Sequence, residues 1–92
     1  MKMIRAHAYI SGYVQGVGYR YSAIRAARHI GVSGWVKNLD DGRVEAVIEG
    51  EQNDVEQMID WCRRGPAGGN VAGVELSYLP YQGEFHSFDL AW

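Results

Sequence analysis

The 92-residue chain has the length of one small domain, which leaves no room for a second hydrophobic core. Its hydrophobic content of 47% and charged content of 22% are ordinary for a globular protein and exclude a disordered or fibrous chain. A net charge of -2 argues against nucleic acid as a partner. The single cysteine cannot form an internal disulfide, and no apolar run is long enough to span a membrane. We therefore expect a cytoplasmic monomer that enters no membrane.

The first part of the chain predicts a strand followed by a helix. Residues 3–14 alternate between apolar and polar side chains, as in a half-buried strand. From Tyr19 onward the apolar residues recur at helical spacing, and Gly31 provides a helix stop. The strand residues expected to face the core are Ile4, Ala6, Ala8, Ile10, Gly12 and Val14. Residues 15–18 then connect the first strand to the first helix.

The middle of the chain predicts a hairpin and a second helix. Two short strands, 32–39 and 43–49, flank an Asp41-Gly42 pair that suits a tight turn, so they should pair antiparallel. Asn53 and Glu56 have the spacing of a capping box. The apolar stripe of the helix that follows consists of Val55, Met58, Ile59 and Cys62.

Two further alternating segments complete the chain. One runs through Val74, Leu76 and Tyr78, and a shorter one joins Phe88 to Trp92. The resulting order, β-α-β-β-α-β with an added edge strand, predicts an α+β ferredoxin-like sandwich, also called a split β-α-β fold. Its antiparallel sheet of four to five strands would carry both helices on one face.

The connection between the first strand and the first helix has the character of an anion site. The first amides of a helix have no partner inside the helix, and a Ser, Thr, Asp or Asn side chain usually caps them. No such residue occurs in segment 14–20, while Gly16 and Gly18 let the backbone curl around a ligand. Arg20 adds a planar, permanently charged group that can hold two phosphate oxygens.

Other interpretations of this loop exist. Gly16 and Gly18 could form only a tight turn, with Arg20 a solvated helix residue. The pattern of a Walker loop and the three glycines of a dinucleotide fold are both absent. Val14 fills the position where a cysteine nucleophile would stand, so we expect no cysteinyl-phosphate intermediate.

Two motifs resemble those of a known family. The segment from Gly12 to Arg20, GYVQGVGYR, resembles the signature loop of the acylphosphatases, G-x-V-Q-G-V-x-F-R, with Tyr19 in place of the usual phenylalanine. The segment from Gly34 to Gly42, GWVKNLDDG, resembles the second motif of that family. The resemblance extends over essentially the whole chain and is loose only in residues 65–74.

The resemblance implies an activity and its residues. Acylphosphatases hydrolyse the carboxyl-phosphate bond of acyl phosphates without a cofactor or metal. Arg20 would hold the phosphoryl group and Asn38 would orient the attacking water, which makes these two the expected catalytic residues. Inorganic phosphate or sulfate would occupy the same loop. The expected phosphate-binding residues are Gln15, Gly16, Val17, Gly18, Tyr19 and Arg20.

Several other residues suggest no chemistry. His7, His29 and His86 lack metal-ligand spacing, so we expect no metal site, and Cys62 lies on an apolar helix stripe.

A non-catalytic binding module remains the alternative function. Tyr9 and Tyr13 could form a stacking platform for RNA on the open sheet face, although the chain has no RNA-binding signature. Whether Tyr9, Tyr13 and Trp35 lie on that face or flank the pocket is left open.

Overall fold

Two helices and five strands follow one another in the computed structural model, which describes residues 1–92. The sheet has the spatial order β4-β1-β3-β2-β5. This architecture confirms the predicted α+β ferredoxin-like fold. Neither helix is long and apolar enough to cross a membrane. In chain order the elements are β1 (Met3–Tyr13), α1 (Tyr19–Ile30), β2 (Ser33–Asn38), β3 (Val44–Glu51), α2 (Gln52–Arg64), β4 (Asn70–Leu79) and β5 (Phe88–Leu90).

The sheet is mixed, so the prediction of a purely antiparallel sheet is wrong for one strand pair. β1 pairs antiparallel with β3 and β4, and β2 pairs antiparallel with β3, whereas β5 pairs parallel with β2. The reason is the connection from β4 to β5, which leads from one edge of the sheet to the other. Residues 80–87 make this crossing, and β5 therefore begins beside the start of β2.

The crossing segment lies on the sheet face opposite the helices. The backbone N–H of Gln82 donates to the buried carboxylate of Glu49 at 2.8 Å. Arg5 donates to Glu84 at 2.6 Å, and its guanidinium lies 5.3 Å from the centre of the Phe85 ring. These contacts hold the segment across β1 and β3.

The hydrophobic core lies between the sheet and the two helices. The helix-facing residues of β1, including Ala6, Ala8 and Ile10, are fully buried there. Gly12 is an exception to the predicted face, because the pairing of β1 with β4 shifts register between Ser11 and Gly12 and leaves Gly12 exposed. The buried residues of α2 are those of the predicted stripe, Val55, Met58, Ile59 and Cys62.

The second helix begins differently from the prediction. The structure shows no side-chain cap at its start, so the capping box of Asn53 and Glu56 is wrong. β3 continues to Glu51 and leads directly into the helix, and the first helical amide, that of Gln52, donates to the carbonyl of Lys2 at 2.8 Å. The first amide of the helix is therefore satisfied by a backbone carbonyl, and the helix begins one residue before the predicted cap, Asn53.

Candidate functional site

The loop between β1 and α1 takes a left-handed turn at two glycines. Gly16 has a φ of 75° and Gly18, the N-cap residue of α1, has a φ of 79°. Residues with a Cβ rarely adopt this conformation. Val14 is buried and Val17 packs against the core, so the side chains of the loop point inward while its backbone faces outward.

The amides of this loop are free to bind a ligand. The first hydrogen bond of α1 runs from the Ser22 amide to the Gly18 carbonyl at 3.0 Å. No backbone N–H from Gln15 to Tyr21 donates to another backbone carbonyl, and no side chain caps the helix. This confirms the uncapped helix start expected from the sequence. Clustered free amides at a helix start attract anions, because they add to the positive end of the helix dipole.

Arg20 contributes a cation that no carboxylate neutralises. The seven ion pairs of the structure all involve other residues. Arg20 lines a concavity of about 160 Å³ whose other lining residues are Val14, Gly16, Gly18, Tyr19, Tyr21 and Asn38. A small anion bound there would meet both the guanidinium and the loop backbone.

Asn38 brings an unsatisfied polar atom to the same concavity. It is the last residue of β2, and its Oδ1 is buried without a hydrogen-bond partner. Val44 of β3 pairs with Ile10 of β1 on one side and with Asn38 of β2 on the other. This pairing places Asn38 level with the end of β1, just before the loop. A buried acceptor without a partner is costly unless a ligand or water donates to it.

Gln15 joins the loop to the hairpin that follows Asn38. Its side-chain amide donates to the carbonyls of Leu39 and Arg43, at 2.8 and 2.9 Å. The same turn is closed by the Leu39 amide, which donates to the Arg43 carbonyl at 2.8 Å. The Gln15 side chain is thus occupied within the protein, and only its backbone N–H is free to contact an anion.

The structure brings together most of the residues expected in the site. Gly16, Gly18, Tyr19, Arg20 and Asn38 share the concavity, whereas Gln15 and Val17 lie in the loop without lining it. The Tyr19 hydroxyl donates to the Cys62 carbonyl at 2.9 Å, and burial raises the pKa of this tyrosine. Its hydroxyl therefore serves the core, and only its backbone is available to a ligand.

Larger concavities lie elsewhere. One of about 490 Å³ lies where the end of β4 meets the start of α2, and one of about 370 Å³ lies between α1 and α2. Neither contains the left-handed loop or its free amides. Size therefore does not identify the site, whereas the convergence of unsatisfied donors, a cation and an acceptor does.

The open sheet face carries two of the aromatic residues whose position the sequence left undecided. The Arg43 guanidinium lies 4.7 Å from the centre of the Tyr9 ring, and the Lys37 ammonium lies 5.6 Å from that of Trp35. His7 packs beside Tyr9 and contacts Glu45 at 2.6 Å. The Glu45 carboxylate also raises the pKa of Tyr9. Tyr13 is exposed and does not line the concavity.

Two acidic residues in the hairpin are not an acid–base pair. Asp41 accepts from the backbone N–H of Arg43 at 3.1 Å and pairs with its guanidinium at 2.9 Å. The backbone hydrogen bond from Arg43 lowers the pKa of Asp41, which is therefore ionised at neutral pH. Asp40 and Asp41 both lie outside the concavity. Asp41 stabilises the turn instead of donating a proton.

Sequence reasoning did not place two aromatic residues at the site. Tyr21 lines the concavity directly, and the Arg20 guanidinium lies 6.0 Å from the centre of the Trp92 ring. Tyr21 could have been found from its position one residue after Arg20, at the exposed start of the helix. Trp92 could not, because its proximity depends on the parallel pairing of β5 with β2.

The fold and the site define a class of protein, a small ferredoxin-like domain with free backbone amides and an unpaired arginine at the start of its first helix. Comparison with known proteins narrows that class. A family model described as Acylphosphatase matches residues 6–90. An acylphosphatase from Roseiflexus sp. is 51% identical over 92 residues, which cover 100% of this chain and 99% of that protein.

A second relative and a solved structure also point to the acylphosphatases. An acylphosphatase from Anaeromyxobacter sp. is 47% identical over 89 residues, which cover 97% of this chain and 96% of that protein. The crystal structure of acylphosphatase from Bacillus subtilis superposes with a TM-score of 0.93 at 30% identity and covers 97% of this chain and 99% of that chain. The chain belongs to the acylphosphatase family, as its two motifs indicated. It is accordingly a hydrolase of acyl phosphates.

Proposed function

We propose that the reaction is a direct attack of water on a phosphoryl group held by Arg20 and the loop amides, with the water oriented by Asn38. The observation that carries this proposal is the shared concavity, in which an unpaired cation and free amides face a buried oxygen without a partner. The proposal has three parts: charge stabilisation, water orientation and an unassisted leaving group.

The phosphoryl group is held by charge and hydrogen bonding. Arg20 offers a planar pair of N–H donors, and the amides around Gly16 and Gly18 add donors fixed by the backbone. In phosphoryl transfer the negative charge is spread over the three equatorial oxygens. Donors that are already in position stabilise this charge without reorganising during the reaction.

The attacking water is oriented by Asn38. The Oδ1 atom can accept a hydrogen bond from a water molecule and so fix its position. An amide oxygen is too weak a base to remove the proton of that water. The proton passes to a phosphate oxygen as the new P–O bond forms, and the result is a carboxylate and inorganic phosphate.

The leaving group needs no general acid. The conjugate acid of a carboxylate has a pKa of about 4, so the carboxylate departs unprotonated at neutral pH. No histidine, aspartate, glutamate, serine or cysteine lines the concavity. This supports single displacement by water without a covalent intermediate, and a bound metal is not required because Arg20 and the amides supply the positive charge.

The reaction is tested by hydrolysis of acetyl phosphate in the presence of EDTA. Arg20→Ala should lower kcat/KM by roughly 10²–10³-fold, as does loss of one fixed donor to a developing charge. Asn38→Ala should lower kcat by roughly 10²-fold, the cost of a misplaced reactant. It should leave inhibition by inorganic phosphate unchanged, because the phosphate-binding groups remain. Arg25→Ala, an exposed arginine on the same helix, is the matched control and should keep full activity.

Three results would contradict the proposal. Full activity of Arg20→Ala would exclude the loop as the phosphoryl site. Loss of wild-type activity in EDTA would show that a metal ion supplies the charge. A covalent intermediate would appear as acetate released in a burst that exceeds phosphate release during the first turnover.

The same loop should bind inorganic phosphate or sulfate in the absence of substrate, since both present the tetrahedral oxygens that Arg20 and the amides accommodate. We also propose a cytoplasmic monomer, in keeping with a free cysteine that is buried in the core. A binding module for RNA has less support, because the Tyr9 ring is already packed against Arg43 and residues 80–87 cross the same face.

A further inference from the structure

The site is small for a pocket that would bury a substrate with a large acyl group. Its volume of about 160 Å³ is below the ~300–1,000 Å³ of pockets that bury a drug-sized ligand. With the phosphoryl group at Arg20 and the loop amides, a bulky acyl group would extend through the mouth of the concavity. Whatever surrounds that mouth therefore decides which acyl groups are bound well.

An exposed indole ring, that of Trp92, lies beside Arg20, which lines the concavity. β5 pairs parallel with β2, with Val36 opposite Leu90, and the Ala91 amide donates to the Val36 carbonyl at 2.9 Å. Continuing this register by two residues brings Trp92 level with Asn38. The strand pairing thus carries Trp92 to the end of the sheet where the site lies, and its ring centre is 6.0 Å from the Arg20 guanidinium carbon.

The indole ring has an unoccupied surface. Trp92 is 93% exposed, which is unusual for so large an apolar side chain. Tyr21, which lines the concavity, is 61% exposed. Two aromatic surfaces therefore lie next to the groups that would hold the phosphate, and neither is used by the core.

We propose that Trp92 is a specificity-determining residue, whose indole ring packs against the acyl group of the substrate and favours aromatic over short aliphatic acyl phosphates. This inference rests on the proposed function. The benzoyl group of benzoyl phosphate can stack on the ring, whereas the methyl group of acetyl phosphate offers little surface. Tyr21, which lines the concavity, offers a second aromatic ring next to Arg20.

The test compares kcat/KM for benzoyl phosphate and acetyl phosphate in the wild type and in two variants. Trp92→Ala should lower the benzoyl-to-acetyl ratio by roughly 3- to 10-fold, the range expected for loss of one aromatic pair. Trp92→Phe should retain most of the wild-type benzoyl-to-acetyl ratio because it keeps an aromatic ring. Tyr13→Ala, which removes an exposed tyrosine outside the concavity, is the control and should leave the ratio unchanged.

A binding experiment on the wild type gives an answer that does not depend on folding of the variants or on turnover. Benzylphosphonate should inhibit or bind at least 3-fold more tightly than methylphosphonate, as measured by calorimetry. Equal binding of the two phosphonates would overturn the role of Trp92 even if acetyl phosphate is hydrolysed. An equal decrease in kcat/KM for both substrates in Trp92→Ala would also overturn the role of Trp92 in specificity, since the ring would then act only on Arg20. Absence of hydrolysis with both substrates would instead contradict the proposed function, while the phosphonates still test Trp92.

Discussion

Gln15 couples the two halves of the site through one side-chain amide. Its Nε2 atom bridges the phosphate loop to the Leu39 and Arg43 carbonyls, beyond the strand that ends at Asn38. In the reaction proposed above, the distance between the phosphoryl group and the water oriented by Asn38 would therefore depend on this residue. The Gln15 side chain would act on that reaction through geometry, because its amide is bonded to the two carbonyls.

Gln15→Ala should reduce kcat more than phosphate affinity. Removing the amide leaves two backbone carbonyls without this donor, and each lost hydrogen bond costs roughly 0.5–1.5 kcal/mol of stability. A small displacement between reactants can lower a rate by about 10²-fold. Steady-state kinetics together with the inhibition constant for inorganic phosphate measure both effects.

The control for this change is Gln57→Ala, an exposed glutamine on α2, which should alter neither quantity. If Gln15→Ala lowers phosphate affinity as strongly as kcat, the Gln15 side chain maintains the conformation of the loop amides themselves. It would then not act by setting the position of the loop relative to Asn38.

At the scale of a single element, α1 is flanked at each end by a glycine cap residue in the left-handed conformation. Gly18 has a φ of 79° and Gly31 has a φ of 101°, and an added Cβ would meet nothing within 4 Å at either position. Both positions thus require a left-handed backbone conformation, and at neither would an added methyl group clash with a neighbour. Only Gly18 belongs to the site.

Alanine substitution at these two glycines separates folding from function. Gly18→Ala and Gly31→Ala should each destabilise the fold by about 1–2 kcal/mol, because L-residues are strained in this region. Only Gly18→Ala should also lower kcat/KM, since a shifted backbone misdirects the loop amides. Urea denaturation and acetyl phosphate hydrolysis measure the two properties, and a similar loss of activity in both variants would show that stability alone is responsible.

Local sequence patterns predicted the elements well where one face is buried. The apolar spacing of α1 placed it at residues 19–30, as observed, and the absence of a capping side chain before it was also correct. The pattern was less informative for β4, which begins at Asn70 and not near Val74. As an edge strand it is largely exposed, so alternation gives little signal at its start.

Contacts between distant parts of the chain could not be predicted locally. Two features depend on which strands become neighbours in the sheet: the hydrogen bond that the Lys2 carbonyl accepts from the first amide of α2, and the direction of β5. For the candidate site, the two sequence motifs predicted Arg20 and Asn38. The role of the Gln15 side chain and the position of Trp92 required the structure, since both join segments far apart in sequence.

The whole molecule should lose stability at alkaline pH because of its buried acidic groups. Burial raises the pKa of the Cys62 thiol from 9.0 to about 11, and the Tyr19 pKa is raised for the same reason. Between pH 9.0 and about pH 11, the unfolded chain loses the Cys62 thiol proton while the folded chain keeps it. The stabilising contribution is therefore complete below pH 9 and declines as the pH rises toward 11.

Urea denaturation at pH 8 and pH 10 measures this effect. The thiol should lower the free energy of unfolding by about 1 kcal/mol over that interval. Cys62→Ala is less stable at pH 8 because of the cavity it leaves, but it should show a smaller decrease. Since Tyr19 is present in both chains, an equal decrease in the two would show that the thiol does not contribute.

The uncapped start of α1 has a consequence for the balance between stability and activity. A Ser, Asp or Asn cap is worth roughly 0.5–2 kcal/mol to a helix, and this fold forgoes it at the point where Gly18 stands. Under the proposed reaction, the bound phosphoryl group would complete the helix in place of that side chain. Substrate and product would then act as transient caps, and a mutation that supplied a permanent one would strengthen the free protein while competing with its ligand.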